Sequence, residues 1–272
     1  MVGRGSRCLA LILALCIVGG QPGIAADEPA LSKEQIKQFL LTARVTGGKQ
    51  GGKGITDPWR LTLSDGTLTH DASFQSVDEH DIDRKFADGH RELLFVDSYK
   101  YNIAAYRLAE LLGLEDMLPV YVERTWRGHT GSLSWWLPVQ MDEVKRLQRK
   151  IQAPDVEAWN QQMYRIRVFD ELVYDTDPNL TNVLIGNDWK IYRVDFTRAF
   201  RLSKNLREPK NLERCDRKLL ERLKALDGNE LTEKTRHYLN NEEVKAVMAR
   251  RDKIVAYIQS LIAAKGEGEV LY

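Results

Sequence analysis

Apolar residues recur at helical spacing over 99–112, at Ile103, Ala104, Tyr106, Leu108, Leu111 and Leu112, and Gly113 stands where such a helix stops. Upstream, Ser32-Lys33-Glu34-Gln35 is a capping box before a short helix through Phe39, Leu40 and Ala43. Residues 59–63 and 72–77 read as strands around the turn Ser64-Asp65-Gly66. The run from 78 to about 92 is polar and acidic and reads as a connection. Residues 119–124 and 132–139 predict two more strands around a turn at Gly128 and Gly131. Beyond them the pattern is mainly helical, as in 243–264 with its apolar face at Val244, Val247, Met248, Ile254, Ile258 and Leu261, interrupted once at 181–195. A strand-rich first half followed by a helical second half predicts an α+β arrangement of two lobes, with a hinge near 135–139. Trp135 and Trp136 face opposite ways on a strand. One of them, Trp135 by our choice, is a candidate to line the cleft between lobes, and packing alone explains them equally well.

The first residues follow a different pattern. Arg4 and Arg7 precede an apolar run over 9–18, then Gly19, Gly20, Pro22 and Gly23 lead to the small residues Ala25 and Ala26. This is the layout of a secretory signal peptide, residues 1–26. At ~1.5 Å per residue the run reaches about 15 Å, roughly half of a bilayer's apolar core, which disfavours a membrane anchor. The mature chain is therefore expected to be exported, periplasmic or secreted, with no transmembrane anchor once the signal is cleaved.

Composition narrows the classes further. The 272 residues include 40 basic and 39 acidic side chains, 43% apolar and 29% charged positions, an ordinary globular balance that argues against disorder. A near-neutral chain lacks the basic field of a nonspecific nucleic-acid binder, so no nucleic-acid partner is expected. Cys8 and Cys16 leave with the signal, so Cys215 has no disulfide partner and cannot build a cysteine zinc site; it reads as a buried helix thiol. The five histidines share no ligand spacing, and no Gly-x-Ser-x-Gly elbow is present.

The chemistry concentrates in 168–200. Residues 182–185 form a short apolar strand, Gly186-Asn187-Asp188 a turn, and 189–194 the return strand. An antiparallel hairpin places the start of one strand beside the end of the other, so Asn182 and Asp195 meet at one edge, with Asp177 a loop away. Such oxygens suit a hard cation such as Mg²⁺, which keeps few protein ligands and completes its shell with phosphate and water. A carboxylate outside the metal shell can orient or deprotonate an attacking hydroxyl. Turn and cap chemistry explains any one of these residues alone. Asp195, however, closes an apolar strand where no turn chemistry is required.

The spacing Asp177-x-x-x-x-Asn182, then an apolar strand, then Asp195-Phe196-Thr197, resembles the catalytic loop and metal-binding aspartate of kinases. The wording is most similar to the atypical branch: phosphatidylinositol 3/4-kinase catalytic domains, HipA-type kinases and secretory-pathway kinases. The likeness runs over roughly 44–205, through Ala104-Ala105-Tyr106-Arg107-Leu108 and Phe169-Asp170 to Ala199-Phe200. It implies a bilobal protein-kinase-like fold with a strand-rich N-lobe (27–136), a helical C-lobe (137–272) and a catalytic β-hairpin. It further implies Asp177 as base, Asn182 and Asp195 as ligands of Mg²⁺ or Mn²⁺, and ATP or another nucleotide as cofactor. The acceptor could be a protein, a lipid or a small molecule.

Several positions depart from that pattern, among them Pro178, where an arginine often follows the aspartate, and Thr197, which replaces the usual glycine. Gln75 stands where kinases carry a lysine on the strand after the glycine loop, and Asn102 where its glutamate partner is expected on the following helix. A neutral amide pair can hold strand to helix but cannot neutralise phosphate charge, so Lys49, Lys53 or Lys100 would have to substitute. Gly47-Gly48-Lys49-Gln50-Gly51-Gly52-Lys53 fits the start of a P-loop, but Gly54 replaces the required Ser/Thr and a strand follows instead of a helix. Gly51, Gly52 and Lys53 are candidates for a flexible loop over phosphates, or for a solvated linker. Two functions stay open: an exported Mg²⁺-nucleotide-dependent phosphotransferase, and a catalytically inactive kinase-fold (pseudokinase) binding protein.

Overall fold

Ser32 opens the first helix, α1 (Lys33–Thr42), with the expected box: its side chain accepts the Gln35 N–H while the Gln35 side chain accepts the Ser32 N–H. The protein's computed structural model describes residues 31–51 and 58–272. The expected signal peptide, Gly52 and Lys53 lie outside the described residues. Ten strands follow α1 among those described: β1 (Arg44–Gln50), β2 (Trp59–Ser64), β3 (Thr69–Gln75), β4 (Asp78–Lys85), β5 (Arg91–Ser98), β6 (Tyr121–Trp126), β7 (His129–Trp135), β8 (Val139–Asp142), β9 (Val183–Gly186) and β10 (Ile191–Arg193). The helices after α1 are α2 (Tyr99–Leu112), α3 (Glu143–Gln148), α4 (Val156–Val173), α5 (Arg217–Ala225), α6 (Gly228–Thr235), α7 (Asn241–Lys265) and α8 (Glu267–Val270).

The strand-rich half is built on one five-stranded antiparallel sheet in the order β1-β2-β3-β7-β6. Gly47 and Gly48 lie inside β1, where the sequence suggested loop. A Cβ on Gly48 would sit 2.9 Å from the Leu61 side chain, so the missing side chain lets the two strands close. Gly131 likewise belongs to β7 and not to its turn, because a Cβ there would overlap the Gln75 carbonyl on β3. Gly128, with φ 80°, makes the turn.

The polar run after Val77 is also strand. β4 and β5 pair along their whole length as a separate two-stranded ribbon, from Asp78 opposite Ser98 to Lys85 opposite Arg91. Its strands carry charged pairs, Asp83 with Arg91 across the ribbon and Glu79 with Arg84 along β4. A ribbon wet on its faces needs no apolar alternation, which is why periodicity missed it.

α2 occupies the centre. Ile103, Ala104, Ala105, Leu108 and Ala109 have no exposed surface, and Gly113 ends the helix at φ 67°. It packs on β6 and β7 on one side and on α5 and α6 on the other, so it is buried all round. Burial of each large aliphatic residue there contributes roughly 1.5–3 kcal/mol. α7 buries Val244, Val247, Ile254 and Ile258 as expected. Its Arg250, wholly buried, donates to the Leu172 and Arg201 carbonyls at 2.8 and 2.9 Å and ties the segment after β10 to the helical half.

The hairpin β9–β10 forms as the sequence pattern requires, and β8 adds a third strand beside β9. Cys215 is buried but not helical: it bridges to Leu271 just before Asp216 caps α5. Burial pushes its thiol up to about 12. Among the described residues no helix is long and apolar enough to cross a membrane.

Candidate functional site

Asp195 leaves β10 with φ 63°, a left-handed conformation that aspartate tolerates better than most residues. The kink sends the chain across the start of α2. There the Phe196 N–H donates to Asn102 Oδ1 at 2.7 Å, and the Ser98 N–H donates to the Thr197 carbonyl at 2.9 Å. The same Asn102, fully buried, donates through Nδ2 to Gln75 Oε1 at 2.7 Å and to Ser132 Oγ at 3.2 Å. The amide pair therefore joins β3, β7, α2 and the Asp195 turn in one latch. The pair is neutral and adds no charge to the site.

Asp177 sits on the exposed loop after α4. Its N–H donates to Asp175 Oδ1 at 3.0 Å, and its carbonyl accepts the Asn179 N–H at 2.7 Å. Asn182 ends a single 3₁₀ turn, Leu180–Asn182, and its carbonyl accepts the Val194 N–H at 3.0 Å, which closes the hairpin beside Asp195.

The loop is held from beneath by Arg193. That side chain, 1% exposed, pairs with Asp175 through Nη2 and with Asp170 at 3.2 Å through Nε. Burial raises both carboxylates above the usual range, Asp170 to about 6, and the Arg193 charge works against that rise. Asp195 is raised as well, first by burial and then by the neighbouring Asp97.

Two cavities meet here. One, of about 260 Å³, is mainly apolar and is lined by Trp135, Trp136, Leu137, Tyr121, Leu184 and Val194, with Gln75 at its edge. Trp135 stacks on His70 with ring centroids 3.4 Å apart. Arg60, paired with Asp71, lies 4.3 Å over the Trp136 ring. Both tryptophans thus line the cavity, where the sequence reading chose one. The second cavity, of about 540 Å³, is the more polar of the two and is lined by Asp177, Asn179, Asp97, Glu79, Arg84 and Arg198, with Phe86 and Phe95 beside them. Asn182 and Asp195 line both. A third cavity, of about 560 Å³ beside the β4–β5 ribbon, contains none of the candidate catalytic, metal or cofactor residues.

Gly51 lies at the end of β1, its N–H bonded to the Pro58 carbonyl at 2.7 Å, and does not line either cavity. Lys100 is engaged by Asp78 at 2.7 Å. Lys49 pairs in register with Arg60 on β2 and lines neither cavity. Asp97, Arg84 and Arg198 went unnoticed because they belong to the ribbon or follow the hairpin. The one available signal was the alternation of Leu93, Phe95 and Asp97 on β5, which brings Phe95 and Asp97 to the same cavity.

No protein-family model and no curated protein sequence matches the chain. Solved structures do. Fam20 from hydra, solved with sugar, superposes with a TM-score of 0.62 at 13% identity, over 88% of this chain and 91% of that one. The Helicobacter pylori proinflammatory kinase CtkA gives a TM-score of 0.48 at 9% identity, over 84% of this chain and 96% of that one. With its mixed sheets and helices, the chain adopts an α+β, bilobal kinase-like fold of the atypical kind.

Proposed function

We propose that this chain is an exported phosphotransferase that uses Mg²⁺ or Mn²⁺ with ATP or a related nucleotide, its N-lobe ending near residue 136. The observation that carries the reading is that Asn182 and Asp195 alone, among the described residues, line both the apolar and the polar cavity. A base would enter the apolar one between Trp135, Trp136 and Leu184, and its phosphates would extend past Asn182 and Asp195 into the polar one. The donor set fits a hard cation: one carboxylate and one amide oxygen, with no cage of three His, Cys, Asp or Glu side chains among the described residues. Bound there, the cation would neutralise phosphate charge. Asp177 faces the polar cavity and would take the proton of an acceptor hydroxyl as its oxygen attacks the terminal phosphorus and the nucleoside diphosphate leaves. The acceptor is an alcohol on a protein, lipid or small molecule. Export is inferred from the basic, apolar and small-residue order of the first 26 residues.

The Gln75–Asn102 hydrogen bond favours a second reading, a binding protein without turnover, because the position that normally contacts phosphate carries no charge. Nucleotide hydrolysis and transfer assays with Mg²⁺ or Mn²⁺ separate the two. Phosphotransfer predicts measurable turnover that falls ~10²–10⁴-fold in Asp177→Ala and is abolished in Asp195→Ala. Wild-type protein that binds nucleotide yet turns over none with any acceptor hydroxyl, water included, establishes the binding reading.

A further inference from the structure

We infer that Asp97, from the end of β5, supplies a third protein oxygen to a divalent cation held by Asn182 and Asp195; this rests on the metal–phosphate reading of the site. Asp97 lines the polar cavity together with both of those residues. Its Oδ1 is buried and has no hydrogen-bond partner. Leaving such an atom unmatched is costly, so a native structure that does so invites an occupant.

The neighbouring groups do not supply one. The Thr197 hydroxyl is the side-chain partner of Asp97, and it also donates to Asp195 Oδ1 at 3.3 Å. A hydroxyl has one proton, so it cannot satisfy both carboxylates at once. Glu79, opposite Asp97 in the ribbon, is paired with Arg84; Arg198 and Arg201 both give an Nη2 to Glu92 and act on Asp97 only through space, with no ion pair to it, and the buried Arg198 Nε has no partner. What two carboxylates around one hydroxyl lack is a cation in direct contact with both, and the oxygen set of Asp97, Asp195 and Asn182 suits Mg²⁺ or Mn²⁺. Asp97 lies five positions before Asn102, on a different element, and restores to the site an acidic ligand that the neutral Asn102 cannot provide.

The test is Mn²⁺ binding to the purified protein, read by the paramagnetic resonance of free Mn²⁺, alone and with a non-hydrolysable ATP analogue. Asp97→Asn keeps the shape and the Thr197 contact but removes the charge. It should weaken Mn²⁺ binding by about tenfold or more, as Asp195→Asn should, whereas Glu79→Gln should change it less than about twofold. Without metal, Asp97→Asn should melt at or above the wild-type temperature, because it relieves repulsion with Asp195. Wild-type Mn²⁺ affinity in Asp97→Asn, with loss in Asp195→Asn, overturns this inference and leaves the two-ligand site standing. A metal-free melting temperature lowered by several degrees, with Mn²⁺ affinity unchanged, would make Asp97 a counter-charge for Arg198 and also overturn it. No Mn²⁺ binding by wild type in either condition removes the inference together with the reading beneath it.

Discussion

Asp175 and Asp97 both lie near Asp195, and the fold treats them in contrasting ways. Asp175 is buried with its Oδ2 paired to Arg193 and its Oδ1 accepting the Asp177 N–H. Asp97 keeps a buried oxygen with no partner and shares a single hydroxyl with Asp195. The first carboxylate is framework: its charge is answered from within the chain, and it fixes the loop that carries Asp177. The second has no cation in direct contact, only a shared hydroxyl, and faces a cavity. Burial alone therefore does not mark a functional carboxylate; the state of its partners does.

Substitutions in the framework should move stability, and substitutions at the cavities should move ligand binding. The largest effect is expected from Arg193→Leu, which leaves Asp170 and Asp175 without their counter-charge and should cost about 3–5 kcal/mol in urea unfolding. Its pH dependence has a definite sign. Both carboxylates have folded-state values above the unfolded ones, so the stability they contribute is present at low pH and is lost as pH rises through the ordinary carboxylate range toward about 6. Removing Arg193 raises them further, so the deficit should be larger at about pH 8 than at about pH 5. A deficit that grows on acidification would contradict the account of Asp175 as framework.

Asn102→Ala comes next. It strands the Phe196 N–H and the Gln75 side chain and should cost roughly 2–3 kcal/mol, measured by the same unfolding experiment. Because the pair is neutral, this loss should be flat between about pH 5 and about pH 8, in contrast to Arg193→Leu. Trp136→Ala should leave stability within about 0.5 kcal/mol, since the ring is over a third exposed, and weaken nucleotide binding about tenfold by calorimetry. Unchanged affinity would move the base out of the apolar cavity. The smallest effect is at Cys215, whose buried thiol, pushed up to about 12, should resist alkylation in the native protein and react on unfolding. Labelling at the rate of a free thiol would show that the α5–α8 seam opens.

The local periodicities carried much of the fold. The helix from Tyr99 to Leu112, the capping box at Ser32, the hairpin around Gly186 and the apolar face of α7 were legible because each is written in spacings of two or three to four residues. The β4–β5 ribbon was not, because its strands are stabilised by charged cross-strand pairs and expose most of their side chains, a pattern that reads as loop. Gly131 was read as a turn because its reason for being glycine, the Gln75 backbone, lies on another strand. Cys215 was read as helical because Glu213 to Asp216 continues into α5, and its parallel bridge to Leu271 comes from the far end of the chain.

By itself, then, the order of residues determined that Asn182 and Asp195 flank one hairpin with Asp177 a short loop away, since hairpin closure depends only on neighbours along the chain. Only the tertiary structure decided that two cavities meet at that pair, that Gln75 and Asn102 join as a neutral latch, and that Asp97 arrives from β5 with an unanswered oxygen. Those facts join segments as far apart as Gln75 and Asp195, and the physical reason they escape the sequence is that burial and charge compensation are properties of the packed molecule, not of any stretch of it.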